Sequence, residues 1–223
     1  MDSFKHYVQN WLTTGQWPVS SLISKYYLLI SNSILTLLEK MKKAENVVDN
    51  FSFTSLTSFH FLVKFCANLV ANTSLIDKKQ DVFGLGYESQ RREEEAVADL
   101  FCYEVMRTYG DRIMRPATRL MLMEKLAFIV QKEFLCSEMY NAAYIEQLVL
   151  GDYHVKEPNT HHVYMSISVT KRSEAIAEIR KKSKKYSGNQ FLPILLDVPT
   201  GLGDTYRVSR ILYKPQQNLI LIG

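Results

Sequence analysis

The sequence predicts a mainly α-helical fold that takes on α/β character only in its last part. Four stretches place apolar residues three and four positions apart, the spacing that lines one face of a helix. Glycine and proline are scarce, at 9 and 6 of 223 residues, roughly half the usual usage or a little more. That disfavours an all-β fold of many tight turns, and long disordered linkers as well. Short apolar runs rich in β-formers come late, at 191–196 and 219–222.

In chain order, Val19, Leu22, Ile23, Tyr26, Ile30, Ile34, Leu37, Leu38 and Met41 form the first stripe. Ser20 or Ser21 can cap it, and the charged stretch 39–43 ends it. A second helix is expected over 58–71, where Phe61, Leu62, Phe65, Cys66, Leu69 and Val70 repeat the spacing. The polar stretch 77–86, with two glycines, reads as a loop. A third helix over 89–109 carries Glu93, Glu94 and Glu95 near its start, where the helix dipole favours negative charge. Its expected buried stripe is Val97, Leu100, Phe101, Glu104, Val105 and Thr108, and Gly110 is expected to stop it as a glycine just past a helix end does. Pro116 suits the first turn of a fourth helix, since its missing N–H costs nothing there. Leu120, Met123, Leu126, Ala127, Val130 and Phe134 continue that helix. A boundary is expected at 151–160, which holds Gly151, Pro158 and Asn159. Residues 173–186 then read as a charged helix ended by Ser187, Gly188 and Asn189. Tyr206, Val208, Ile211 and Leu212 give 204–213 a loosely helical spacing, closed by Pro215.

Composition narrows the function classes. With 47% hydrophobic and 22% charged residues, the chain can bury a core of one or two domains. A net charge of +4 is mild beside that of strong nucleic-acid binders, so no nucleic acid is expected as a partner. Cys66, Cys102 and Cys136 are odd in number and far apart, which suits neither a disulfide framework nor a zinc knuckle and fits a reducing, cytoplasmic compartment. No signal peptide is expected at the start. The longest apolar candidate, 19–38, is broken by Ser24, Lys25, Ser31, Asn32 and Ser33, so no membrane span is expected either.

The richest pattern lies in 207–223. Leu219, Ile220, Leu221 and Ile222 form an apolar strand that delivers Gly223 at its end. A P-loop is built that way, from a buried strand into Gly-x-x-x-x-Gly-Lys-Ser/Thr, whose backbone N–H groups cradle phosphates. A strand ending in glycine is also common outside P-loops. The run Arg207-Val208-Ser209-Arg210-Ile211-Leu212-Tyr213-Lys214-Pro215-Gln216-Gln217-Asn218 before that strand resembles the lead into the fourth AAA+ module of dynein heavy chains. There an Arg-Ile-x-Arg helix precedes Arg-Gln-Pro and a strand reaching the Walker A glycine. Here Tyr213-Lys214-Pro215 stands for Arg-Gln-Pro, and the apolar segment with Leu195 and Leu196 resembles the one lining the adenine side of that pocket.

Two further stretches resemble the same family in the same order. Phe101, Tyr103, Glu104, Arg107, Tyr109, Asp111 and Arg112 resemble a signature of the preceding module's helical lid, with Phe101 for tryptophan and Tyr103 for histidine. On the residues alone, Glu104 and Arg107 share one helix face and Asp111 and Arg112 follow the glycine, which points to orienting a lid rather than to catalysis. Asn10-Trp11-Leu12-Thr13-Thr14-Gly15-Gln16-Trp17-Pro18 resembles the lead into that lid. Lys64 and Phe65 stand where the family has an arginine that resembles a nucleotide sensor and an aspartate; lysine cannot offer the same planar fork to a phosphate.

The resemblance implies a helical AAA+ lid bundle over 1–150, a connecting region with a charged helix over 151–190, and over 191–223 the first helix and strand of an incomplete α/β P-loop (AAA+) core. It implies nucleotide binding by Gly223, Leu195, Leu196 and Lys64, and a lid signature of Glu104, Arg107, Asp111 and Arg112. ATP or ADP with magnesium would be the parent motor's cofactors, and none is expected for this chain alone. Neighbouring AAA+ modules, dynein subunits and microtubules would be its partners, in the cytoplasm, the cytoskeleton and the ciliary axoneme. With no Gly-Lys-Ser/Thr and no Walker B acidic pair in the chain, no ATP hydrolysis is expected from it alone. The alternative is a stand-alone helical interaction module related to such a lid. His154, His161 and His162 with Asp152 have no helical i, i+4 pair or cysteine beside them and read as loop histidines, so no metal is expected. The basic run Lys171, Arg172, Arg180, Lys181, Lys182, Lys184 and Lys185 is interleaved with Glu174 and Glu178 and reads as a solvated helix face.

Overall fold

The computed structural model describes residues 6, 10, 21–45, 59–77, 86–151, 165–166, 173, 176–177, 179–181 and 201–213. These are mainly helical. The chain divides into two compact units, Met1–Glu146 and Gln147–Gly223. The interior of the loop expected at 77–86, the apolar run 191–196 and the strand 219–222 lie outside the described residues.

Among the described residues, the first unit holds four long helices. Helix α1, Ser21–Glu45, is about 37 Å long at 1.5 Å per residue. Its stripe of Tyr26, Ile30, Ile34, Leu37, Leu38 and Met41 is buried as the spacing requires. Ser31 is buried with it, and its hydroxyl donates to the carbonyl of Leu28 at 3.0 Å, so the polar group is satisfied within the turn. Lys42 and Lys43 sit in the last turn, where a positive charge complements the helix dipole. Helix α2, Phe59–Asp77, buries Leu62, Phe65, Cys66 and Leu69.

Helix α3, Gly86–Thr108, is the axis of this unit, packed against α1 and α2. The expected stripe is buried, but so are Ala98, Asp99, Cys102, Tyr103 and Met106 on its other faces. A helix covered all round reads as a single stripe only where polar residues interrupt the pattern, as Asp99 and Tyr103 do here. Phe101 is the centre of an aromatic cluster, edge-on to Phe65 at 5.9 Å and tilted against Phe134 at 5.3 Å.

Gly110 does not end the helix in the expected way. It opens a 3₁₀ turn, Gly110–Arg112, without a left-handed backbone. Its value is close packing: a Cβ there would stand 2.6 Å from Cε of Met106. The chain turns only at Ile113, which is extended at φ −84°, ψ 106°.

Helix α4, Pro116–Glu133, places its proline in the first turn as expected. Met123, Leu126, Ala127 and Val130 are buried, with Leu122 and Ile129 beside them. Leu120 is not part of that face; it is 47% exposed. The helix ends at Phe134, whose N–H donates to the carbonyl of Val130 at 3.0 Å. Leu135 follows in the left-handed region, at φ 54°. A short helix α5, Ala142–Gln147, comes after this turn.

In the second unit, β1 (Leu150–Gly151) pairs antiparallel with β2 (Met165–Ser166), Leu150 opposite Ser166. Residues 173, 176–177 and 179–181 are helical, in line with the helix expected over 173–186. Lys181 is exposed, but Arg180 is half-buried, so the solvated face does not include it. Helix α6, Gly201–Tyr213, starts three residues before the expected one, because Gly201 and Leu202 are buried and helical despite the low helix propensity of glycine. Val149, Ile179, Leu202 and Tyr206 form the small core here, with Ile176 packed on it. Among the described residues, no helix is long and apolar enough to cross a membrane.

Candidate functional site

The C-terminal end of α3 gathers three of the four signature residues. The Arg107 guanidinium lies 2.7 Å from the Asp111 carboxylate, one turn along. Arg119, on α4, reaches the other oxygen of Asp111 at 3.6 Å and donates to the carbonyl of Gly110 at 2.9 Å. That carbonyl already accepts from the N–H of Ile113 at 3.1 Å, so one guanidinium ties the first turn of α4 to the turn that ends α3. Arg112 points to a different neighbour and stacks over the Phe61 ring at 4.1 Å, which attaches the same turn to α2. Glu104 lies a turn earlier and is fully buried.

Arg119 was not singled out by sequence spacing, although a signal existed. A cation in the first turns of a helix opposes the helix dipole, so an arginine at that position calls for a local acceptor. Asp111 and the Gly110 carbonyl supply it.

Of the expected nucleotide contacts, Lys64 alone lies among the described residues. Lys64 is exposed on α2, while Phe65, where the resemblance has an aspartate, is fully buried against Phe101. Gly223, Leu195 and Leu196 lie outside the described residues. Among the described residues, no three histidine, cysteine, aspartate or glutamate side chains group as metal ligands; His154, His161, His162 and Asp152 lie outside them.

A second polar constellation has no counterpart in the sequence patterns. Asp99, buried on α3, accepts the Tyr140 hydroxyl at 2.9 Å and the Tyr144 hydroxyl at 2.8 Å, both on the same oxygen. Tyr140 also contacts the carbonyl of Glu95 at 3.2 Å, and its own carbonyl accepts from the Gln131 amide at 2.8 Å. The two rings lie against each other with centroids 4.8 Å apart. Burial, and then the Asp99 charge, push both phenols far above the usual tyrosine range. They remain donors, and the arrangement is a clasp that folds the segment after α4 back onto α3.

Reactive groups are muted around this core. Burial pushes the Cys66 thiol up to about 12. Cys102 is raised well above its ordinary value by burial, with Asp99 and Cys136 adding to the effect. A thiol held protonated and covered is a poor nucleophile. Compared with models of protein families, with curated proteins and with solved structures, the chain matches none.

Proposed function

We propose that the chain belongs to a dynein heavy chain motor, as the closing helical lid of the third AAA+ module running into the first helix and strand of the fourth. The observation that carries this reading is the signature Glu104, Arg107, Tyr109, Asp111 and Arg112 in its spacing, followed at the right distance by the apolar run that reaches Gly223. The geometry of the signature supports the orienting role: Arg107 and Asp111 pair at the helix end, and Arg112 fastens that end to α2. In this reading the chain forms the wall between two modules of the ring. ATP or ADP and magnesium would be bound by the parent motor, whose hydrolysis drives movement along microtubules in the cytoplasm or the axoneme. The exposed lysine at 64 and the buried Phe65 beside it argue that the third module's lid supplies no arginine fork to a phosphate.

A second reading is favoured by one observation. Phe65, Phe101 and Phe134 form an aromatic core from α2, α3 and the end of α4, all within this chain. That suits a stand-alone helical interaction module without ATPase activity. Sequencing the transcript beyond the codon for Gly223 separates the two. The motor reading expects Gly-x-x-x-x-Gly-Lys-Ser/Thr to begin at Gly223 and a Walker B pair further on; a reading frame without them refutes it.

A further inference from the structure

Several cations lie around the turn that ends α3. Asp111 is engaged by Arg107 at 2.7 Å, and Arg119 reaches only its other oxygen at 3.6 Å. Among the described residues, no carboxylate lies within ion-pair distance of Arg112 or Lys64. These residues are held together. Arg112 stacks on Phe61 at 4.1 Å, and Lys64 is exposed one turn further along α2. Arg119 is fastened to the Gly110 carbonyl, and Arg115, also exposed, lies one turn before it on the N-cap of α4. The N-terminus of α4 adds potential of the same sign.

Apolar surface is interleaved with this charge. Met114 is 84% exposed and Leu120 is 47% exposed, so apolar side chains alternate with Arg112, Arg115 and Arg119 along the chain. A guanidinium stacked on a ring keeps the N–H groups along its edge free for a planar, two-pronged contact with a carboxylate. Arginine and methionine are both enriched at protein interfaces, where an apolar anchor sits inside a polar rim.

We propose that this end of the helical unit docks an acidic–apolar peptide segment of a partner protein. Carboxylates of the segment meet Arg112 and Arg119, with Lys64 and Arg115 at the rim, and an apolar side chain covers Met114. Nucleic acid fits less well. Its backbone asks for a longer track of cations, roughly six to ten phosphate contacts in a strong binder, and for open aromatic faces on which bases stack. Phe61, the ring beneath Arg112, is half-buried and already covered by it. The proposal uses only residues of the first unit and stands whether or not the chain is part of a motor.

The test is fluorescence anisotropy on the full chain with three labelled probes: a short peptide alternating glutamate and leucine, its glutamine–leucine counterpart, and single-stranded oligothymidylate. The acidic peptide is expected to bind, and more weakly as salt is raised. The double variant Lys64→Gln/Arg112→Gln should lower its affinity about tenfold, which is about 1.4 kcal/mol. Met114→Ser should lower it several-fold, while Lys181→Gln, on the second unit, should leave it unchanged. All four side chains are exposed, and circular dichroism of each variant confirms that it folds. The proposal is overturned if the acidic peptide fails to bind at about 1 mM, if the neutral peptide or oligothymidylate binds as well, or if Lys181→Gln weakens binding as much as the double variant.

Discussion

Replacing Asp99 by alanine should release the segment that follows α4 without unfolding the first unit. The carboxylate takes two hydroxyls on one oxygen, at 2.9 Å from Tyr140 and 2.8 Å from Tyr144. A hydrogen bond to a charged acceptor contributes about 1.5–3 kcal/mol. Both losses fall at the lower end of that range. Tyr140 keeps its contact with the Glu95 carbonyl at 3.2 Å, and half-buried Tyr144 can turn to water. Removing a buried carboxylate also removes its desolvation cost. The sum is about 2–3 kcal/mol. Tyr140→Phe alone should cost about 1.5 kcal/mol and Tyr144→Phe about 1 kcal/mol.

Hydrogen exchange is the suitable measurement, since it reads local opening residue by residue. The amides of Tyr140 and Ile145, bonded to the carbonyls of Ser137 and Asn141, report on the clasped segment. In Asp99→Ala they should exchange roughly 30- to 160-fold faster, the factor that corresponds to 2–3 kcal/mol. Amides in the middle of α3 should change much less. The decisive variant is Asp99→Ala/Tyr140→Phe/Tyr144→Phe. An apolar set that leaves no orphaned hydroxyl is far less costly than a half-dismantled one, so the triple variant should recover to within about 1 kcal/mol of the parent. Exchange in the triple variant as fast as in Asp99→Ala would refute the clasp, because the loss would then come from packing.

Three further outcomes follow from the same core. Phe101→Ala removes the ring that touches both Phe65 and Phe134 and should cost about 3–5 kcal/mol in urea unfolding, against about 0.5 kcal/mol or less for exposed Lys181→Ala; equal effects would show the buried face to be misassigned. Leu135→Gly should stabilise by about 1 kcal/mol, since φ of 54° strains a leucine and its 83% exposed side chain gives up little packing; a lower melting temperature would show that the side chain matters more than its backbone. Stability should also fall in alkali. The folded pKa of Cys66 is raised from 9.0 to about 12, so its contribution is complete below pH 9 and declines between about pH 9 and pH 12 as the unfolded thiol ionises first. The slope is about 1.4 kcal/mol per pH unit, and Cys66→Ala should flatten the urea midpoint against pH by that amount. An unchanged slope would remove Cys66 from the account.

The parts legible in the sequence were those set by local spacing. The stripe from Tyr26 to Met41 was readable because one apolar face repeats along a helix, and all six of its buried members lie on the expected spacing. Pro116 announced the first turn of α4 for an equally local reason. What stayed hidden depends on partners far along the chain. Asp99 meets tyrosines 41 and 45 residues away, and no periodicity encodes that. Leu120 continued a helical spacing but faces outward, because the choice of buried face is made by the neighbouring helices. Gly110 suggested a helix stop, whereas its lack of a side chain answers to Met106. In the candidate site, spacing grouped Glu104 with Arg107 on one helix face, and the ion pair that joins Arg107 to Asp111 across the turn was not anticipated. The stacking of Arg112 on Phe61 could not be anticipated, since it joins two helices.

The two polar constellations divide the work on α3 between them. The clasp at Asp99 is buried, so its hydrogen bonds are shielded from water and contribute to stability. The charges at Asp111 are solvent-facing, with its side chain 35% exposed, and a surface ion pair of that kind contributes about 0–1 kcal/mol. Signature charges so placed add little to holding the fold together. What they supply is direction: Arg119 fixes the start of α4 against the Gly110 carbonyl, and Arg112 fixes the same turn against α2. The first unit thus has a packed axis and fastened helix ends. Buried hydrogen bonds and aromatic packing give the axis, while exposed guanidiniums set the ends and stay accessible to a partner.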